Sequence, residues 1–280
     1  MTTLSVLSWH FCTRLKAALF CVLYFYAPLT LAPPSNAAQN DKKNPEYSLS
    51  VAQLNWCPQI CPRGAEPGYI VDIVREVFEG SEFHLNYQTM SYPIARGKTA
   101  RGEIDALLAP AKIEAPNLIY PREPVGFQRV CFYTLTDSMW VYDGGASLHD
   151  LTIGIAIDIS LEEIHSYVQS HENQFVFQAE SKRYIEESLR MLEIGRLDTF
   201  VFNENSVLYY MRKQGWQKRV RSAGCVSPAP VFMAFSPAPS NSKKFSEAIQ
   251  LINERIKKMK HNGAIEKIMA RYGLPDWSKF

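Results

Sequence analysis

The residues best placed to do chemistry in this chain are six cysteines, six histidines and a few isolated carboxylates and arginines. Their spacing matches few reactions. No Gly-x-Ser-x-Gly turn is present to expose a nucleophilic serine. Gly97-Lys98-Thr99 imitates the end of a phosphate-cradling loop, but the required earlier glycine is replaced by Tyr92, so nucleotide binding is rejected. His84, His149, His165, His171 and His261 are scattered, without the paired spacing of a zinc site. Adjacent acids such as Glu186-Glu187 read as a solvated helix face. No cofactor motif and no metal set emerges. For a cleft enzyme, Glu114 or Glu204 is the acid to test.

How the cysteines read depends on the compartment. Arg14 and Lys16 precede an apolar run from Ala17 to Ala32, followed by the small residues Ser35, Ala37 and Ala38. This is the secretory signal pattern, with cleavage expected near Ala37 or Ala38. A membrane anchor is the weaker reading, because the run is short of the roughly 20 residues a span needs and contains Pro28. Residues 1–38 are therefore set apart from the fold, and 39–46 read as a flexible polar lead-in. Export leaves Cys57, Cys61, Cys131 and Cys225, an even number in an oxidising compartment, which favours disulfides over free thiols or a metal site. The close spacing suggests Cys57–Cys61, leaving Cys131–Cys225.

The chain has 46% hydrophobic and 21% charged residues and a net charge of +2, which argues against disorder and against a nucleic-acid footprint. Loss of Arg14 and Lys16 with the signal brings the formal charge to zero, so polyanions and acidic membranes are not implied partners. Hydrophobic periodicity then sets the elements. Strands are expected at 47–56, 83–87 and 104–108, with helices at 69–79 and 94–101 between them. A second unit of the same grammar has strands at 129–135, 151–157, 175–178 and 199–202, with helices at 161–170, 184–194 and 207–214. A strand at 231–235 and helices at 243–260 and 264–272 close the chain. Alternating strands and helices argue for α/β layers with mostly parallel sheets. The simplest assembly is two α/β lobes joined by two crossing strands near 132–138 and 226–232. Lobe 1 is then 47–132 together with 229–280, and lobe 2 is 133–228.

Four segments carry a resemblance. Gly68-Tyr69-Ile70-Val71-Asp72-Ile73 opens a helix, and Arg101-Gly102-Glu103-Ile104-Asp105-Ala106 turns into a strand. Glu193-Ile194-Gly195-Arg196-Leu197-Asp198 makes the matching turn in the second unit. Lys260-His261-Asn262-Gly263-Ala264-Ile265-Glu266-Lys267-Ile268, with Tyr272-Gly273, resembles the closing helices. Together they resemble the bacterial periplasmic solute-binding proteins of family 3, the amino-acid-type receptors. The resemblance spans nearly all of 47–275. It implies a periplasmic binding protein type II fold, in which two lobes joined by hinge strands close on a small-molecule solute. It also implies a monomer in the periplasm that delivers the solute to an inner-membrane ABC permease. Some relatives serve as sensor domains and a few are small-molecule dehydratases.

Ligands of open α/β sheets sit beyond the carboxyl ends of strands, against helix N-termini. That rule selects the candidates, each with a structural alternative. Trp56 could stack on a solute or belong to the core. Tyr69 could offer its hydroxyl. Tyr92 could face the cleft, and Arg96 could hold an anion bidentately or stand on the surface. Ala109 to Glu114 lies where amino-acid-binding relatives place a Thr/Ser and then an Arg that clamps the α-carboxylate. Here Glu114 stands about where that arginine is expected, and Lys112 lacks its planar fork. Glu114 could instead prefer a cationic or hydroxyl-bearing group. Asp158-Ile159-Ser160 reads as a helix cap, which in relatives starts an anion-binding helix. Asn203 and Glu204 stand where family members often place an acid for a ligand ammonium.

Overall fold

The computed structural model describes residues 46–157, 164–178, 183–238 and 242–279. The expected leader, lead-in and cleavage site lie outside these residues, as do Asp158 and Ser160. The strands are β1 (Tyr47–Gln53), β2 (Phe83–Thr89), β3 (Ala106–Ala111), β4 (Gly126–Gln128), β5 (Val130–Leu135), β6 (Ile153–Ala156), β7 (Phe175–Gln178), β8 (Thr199–Asn203), β9 (Val220–Cys225) and β10 (Ala229–Phe235). The helices are α1 (Tyr69–Phe78), α2 (Tyr92–Ala100), α3 (His165–Ser170), α4 (Tyr184–Glu193), α5 (Glu204–Gln214), α6 (Ser242–His261) and α7 (Ala264–Arg271).

These strands build two five-stranded sheets, ordered β2-β1-β3-β10-β4 and β7-β6-β8-β5-β9. Each sheet has the same plan. Three parallel strands lie in the order second, first, third, and an antiparallel strand next to a crossing pairs with the third. The molecule is thus a two-lobed α/β fold with one sheet to each lobe.

Alternation along the strands feeds a core on each face, as the period of two demands. In the first sheet Ala106, Leu108, Val231, Met233 and Phe235 face α1, α6 and α7, while Leu107 and Ala234 face Ala95 of α2. Helix α6 buries Phe245, Ala248, Ile252, Ile256 and Met259, a stripe at helical spacing. In the second sheet Tyr133, Phe200 and Phe202 pack with α4 and α5, while Phe132, Ile153, Ile155 and Val201 face the other way.

Several boundaries differ from the sequence reading. The chain leaves the first sheet at Arg129, not within 132–138, because β5 pairs from Val130 onward with β8 and β9 in the second sheet. It returns through Val226–Pro228, since β9 ends at Cys225 and β10 begins at Ala229. Strand β1 ends at Gln53, so Trp56 falls in the loop beyond it, exchanging both backbone hydrogen bonds with Ile60 at 2.8 Å. Helix α2 begins at Tyr92, with Pro93 in its first turn, where a missing N–H costs nothing. Strands β4 and β9 have no counterpart in the sequence reading.

Strand β3 runs on through Ala109 and Pro110, past the expected end at Leu108. It does so by an irregularity. Ala109 holds φ 65°, and the pairing with β10 shifts between Val231 and Met233. A non-glycine residue in the left-handed region stores strain of about 1–3 kcal/mol, and bulges of this kind re-aim side chains near functional edges. Ala109→Gly should therefore keep or raise the thermal midpoint, whereas Ala109→Val, with a branched Cβ in the same conformation, should lower it. Melting curves of the two variants check this; a large loss with glycine would contradict the strain.

Candidate functional site

In the first sheet β1, β2 and β3 are parallel, so their carboxyl ends share one edge. Trp56, Tyr92 and Glu114 follow these three ends in turn. In the second sheet β6, β7 and β8 share an edge in the same way, and Glu204 starts the helix that follows β8. The two edges meet. Buried Gln59, in the loop after β1, donates from Nε2 to Asn203 Oδ1 at 2.6 Å and to Ser206 Oγ at 3.4 Å. The region between these edges is where an open α/β architecture takes a ligand.

Helix α5 organises the second side. Asn203 is its N-cap, and Oδ1 accepts from the Ser206 backbone N–H at 3.2 Å, satisfying one orphan donor of the first turn. Asn205 Nδ2 donates to the Tyr69 hydroxyl at 3.0 Å, and Ser206 Oγ donates to the Cys57 carbonyl at 3.1 Å. Tyr69 is fully buried, its ring edge-on to Tyr272, and burial pushes its hydroxyl pKa up. Its hydroxyl therefore joins the lobes in this arrangement, and Asn205 is its donor.

Glu204 lies in the first turn of α5, where negative charge suits the helix dipole. Its carboxylate meets Arg129 Nε at 3.0 Å, and its backbone N–H donates to the Arg129 carbonyl at 2.8 Å. Arg129 is the residue at which the chain crosses between sheets, so this pair braces the first crossing. Beside it Cys131 is bonded to Cys225, joining β5 to β9. Cys131, Glu204 and Cys225 are a close group of metal-ligating types among the described residues, but the disulfide consumes two of the three donors.

The first-lobe side holds Tyr92, Arg96 and Glu114 together. Glu114 Oε2 accepts from the Tyr92 hydroxyl at 3.2 Å and from the Ala111 backbone N–H at 3.0 Å. Exposed Arg96 donates from Nη1 to the Glu114 carbonyl at 3.1 Å. Glu114 thus braces the loop after β3. Burial, and then the Glu114 charge, raise the Tyr92 hydroxyl pKa, so it stays a donor at neutral pH. The Lys112 ammonium stands 5.0 Å from the Phe232 ring centroid and 5.8 Å from that of Tyr120, a cation–π seat that directs it away from the role of a forked anion clamp. Trp56 is half-buried and packs against the first-lobe core.

The sequence reading passed over Gln59, Ser206 and Arg129. The Asn203 cap pattern points to Ser206, since the third residue of the helix supplies the capped N–H. Nothing in the spacing around Gln59 or Arg129 signals their partners across the lobes. A separate groove of about 550 Å³, lined by residues such as Asp72, Arg75, Leu85, Tyr87 and Arg271, lies beside α1, β2 and α7 and includes none of the expected site residues.

No family model matches the chain, and no curated protein matches it. Solved structures do. The L-cystine solute receptor of Neisseria gonorrhoeae in its unliganded open conformation aligns with a TM-score of 0.60 at 15% identity, over 84% of this chain and 96% of that one. A substrate-binding protein of an ABC uptake transporter from Streptococcus pneumoniae, with bound histidine, gives 0.58 at 15% identity over 82% and 94%. A histidine kinase sensor domain similar to periplasmic binding proteins gives 0.58 at 15% identity over 81% and 96%. At such identities the likeness is one of fold.

The Arg129–Glu204 pair yields a pH dependence. Burial raises the Glu204 pKa above its ordinary value of 4.5, with Arg129 opposing. A raised carboxyl binds more protons folded than unfolded, so its contribution to stability grows as pH falls. Relative to Glu204→Gln, the native protein should therefore gain stability as pH drops from neutral towards 4.5. Denaturant unfolding at a series of pH values measures the difference; a flat or opposite trend would contradict the burial argument.

Proposed function

We propose that the protein is an exported receptor that closes on a small polar solute between its lobes. One observation carries this reading: the carboxyl-end edges of the two sheets meet where Gln59 of one contacts Asn203 of the other. A solute touching both edges favours the closed arrangement by its difference in affinity for the two states. Tyr92 and Trp56 supply a hydroxyl oxygen, held by Glu114, and an aromatic face on one side, and the start of α5 supplies polar groups on the other.

The solute is not held by an α-carboxylate clamp of the amino-acid-binding kind. Glu114 stands near that place, and the nearby lysine is seated on aromatic rings. A neutral or cationic solute fits this rim better than a free carboxylate does. The role is binding without turnover: Glu114 and Glu204, the candidate acids, are engaged in bracing the loop after β3 and the first crossing. Among the described residues no helix is long and apolar enough to cross a membrane. The leader and the family resemblance read from the sequence support a periplasmic monomer that hands its solute to an inner-membrane ABC permease. The likeness to a histidine kinase sensor domain favours a second reading, in which the same closure is sensed by a partner and no transport follows.

A thermal-shift screen of residues 39–280, refolded to remove carried-over solute, tests this against amino acids, polyamines, organic acids and short peptides. A solute at 100 times its dissociation constant adds about 2.7 kcal/mol of stability. The expected result is a hit among neutral or cationic compounds that weakens at least tenfold when Trp56 and Tyr92 are both changed to alanine. A flat response across the panel, or a hit indifferent to both changes, would overturn the assignment.

A further inference from the structure

We propose that Gln59 is a built-in latch that holds the facing edges of the two lobes together before any solute arrives. The inference rests on the two-lobed fold and the contacts of one side chain, and it stands whether or not the solute reading is correct.

The backbone carrying Gln59 is held fast. Cys57 is bonded to Cys61, and Trp56 and Ile60 exchange backbone hydrogen bonds across the same turn. The carbonyls of Pro58 and Gln59 accept from the N–H groups of Tyr69 and Ile70, at 3.0 and 3.1 Å, docking the turn onto the start of α1. Gly68, at φ 102°, permits that approach, for a Cβ there would clash with the Gln59 carbonyl. The Gln59 side chain therefore leaves a rigid platform on one lobe and ends on α5 of the other.

Its two polar atoms fare differently. Nε2 is satisfied by Asn203 and Ser206 of the second lobe, while Oε1 is buried with no hydrogen-bond partner among the described residues. Closure rewards the donor and deprives the acceptor of water; opening hydrates both. A contact with one atom satisfied and its neighbour stranded lies close to balance. That is what a latch requires: strong enough to bias the lobes, weak enough to release. Around it, Tyr69–Asn205 and the seating of Leu208 and Tyr209 against the first-lobe core add to the same interface.

The test uses residues 39–280 without solute, comparing the native protein with Gln59→Ala and Gln59→Met; the second keeps side-chain length but lacks the amide. Small-angle scattering reads the separation of the lobes. Hydrogen exchange reads the amides at the start of α5. Both variants should show a larger radius of gyration and at least tenfold faster exchange at Ser206 and Val207. Exchange in α4 and α6 should be unchanged, which establishes that the fold is intact. Scattering curves that superimpose on the native one, with unaltered exchange at α5, would overturn the latch. So would an effect of Gln59→Ala that Gln59→Met does not share, because the cause would then be lost volume and not the amide.

Discussion

The capping of α5 by Asn203 is the interaction on which the arrangement of the two lobes depends. One carboxamide oxygen serves two masters: it accepts the Ser206 N–H that starts the helix and the Gln59 N–H that arrives from the other lobe. Local helix formation and contact between lobes therefore share an atom. The helix it starts is buried on two sides. Val207 and Met211 enter the second-lobe core, while Leu208 and Tyr209 lean on the first. At its far end the Arg212 guanidinium lies over Gly273, where a Cβ would clash with it. A helix of one lobe is thereby also a wall of the other.

That arrangement gives the crossings a particular character. Arg129 and Glu204 form an ion pair at the first crossing, and the Cys131–Cys225 bond holds the neighbouring strands β5 and β9 in register. Arg129 and Val226–Pro228 are thus the two short connections between the sheets, and the first of them is tied to α5. The candidate residues divide accordingly. Tyr92, Arg96 and Glu114 form one polar cluster on the first lobe. Tyr69, Asn203 and Glu204 gather around α5 and the crossing, where each has a partner that also serves the architecture.

Much of the fold was legible in the sequence because each sheet repeats a local pattern. Helix α1 starts at the expected Tyr69, and α6 declares itself through a five-residue apolar stripe at helical spacing. Strand β9 was not legible: Val-Arg-Ser-Ala-Gly-Cys has neither strong alternation nor β-branched density, and its extended form comes from pairing with β5. The place of the first crossing is not legible for a related reason. Residues 129–135 read as one strand, and only pairing shows that all of β5 belongs to the second sheet. At the site, the strand-end rule picks out Tyr92, Glu114 and Asn203 because topology alone puts them there. Gln59 lies in the loop beyond β1 that the rule marks, but its partner is 144 residues away and no local spacing encodes that contact.

The lobes are energetically coupled through α5 and the Gln59 turn, so that neither should melt without the other. Differential scanning calorimetry of residues 39–280 tests this most directly. A single transition, with calorimetric and van 't Hoff enthalpies equal, is the predicted result. Two resolved transitions, or a calorimetric enthalpy well above the van 't Hoff value, would show lobes that unfold independently and would contradict the account.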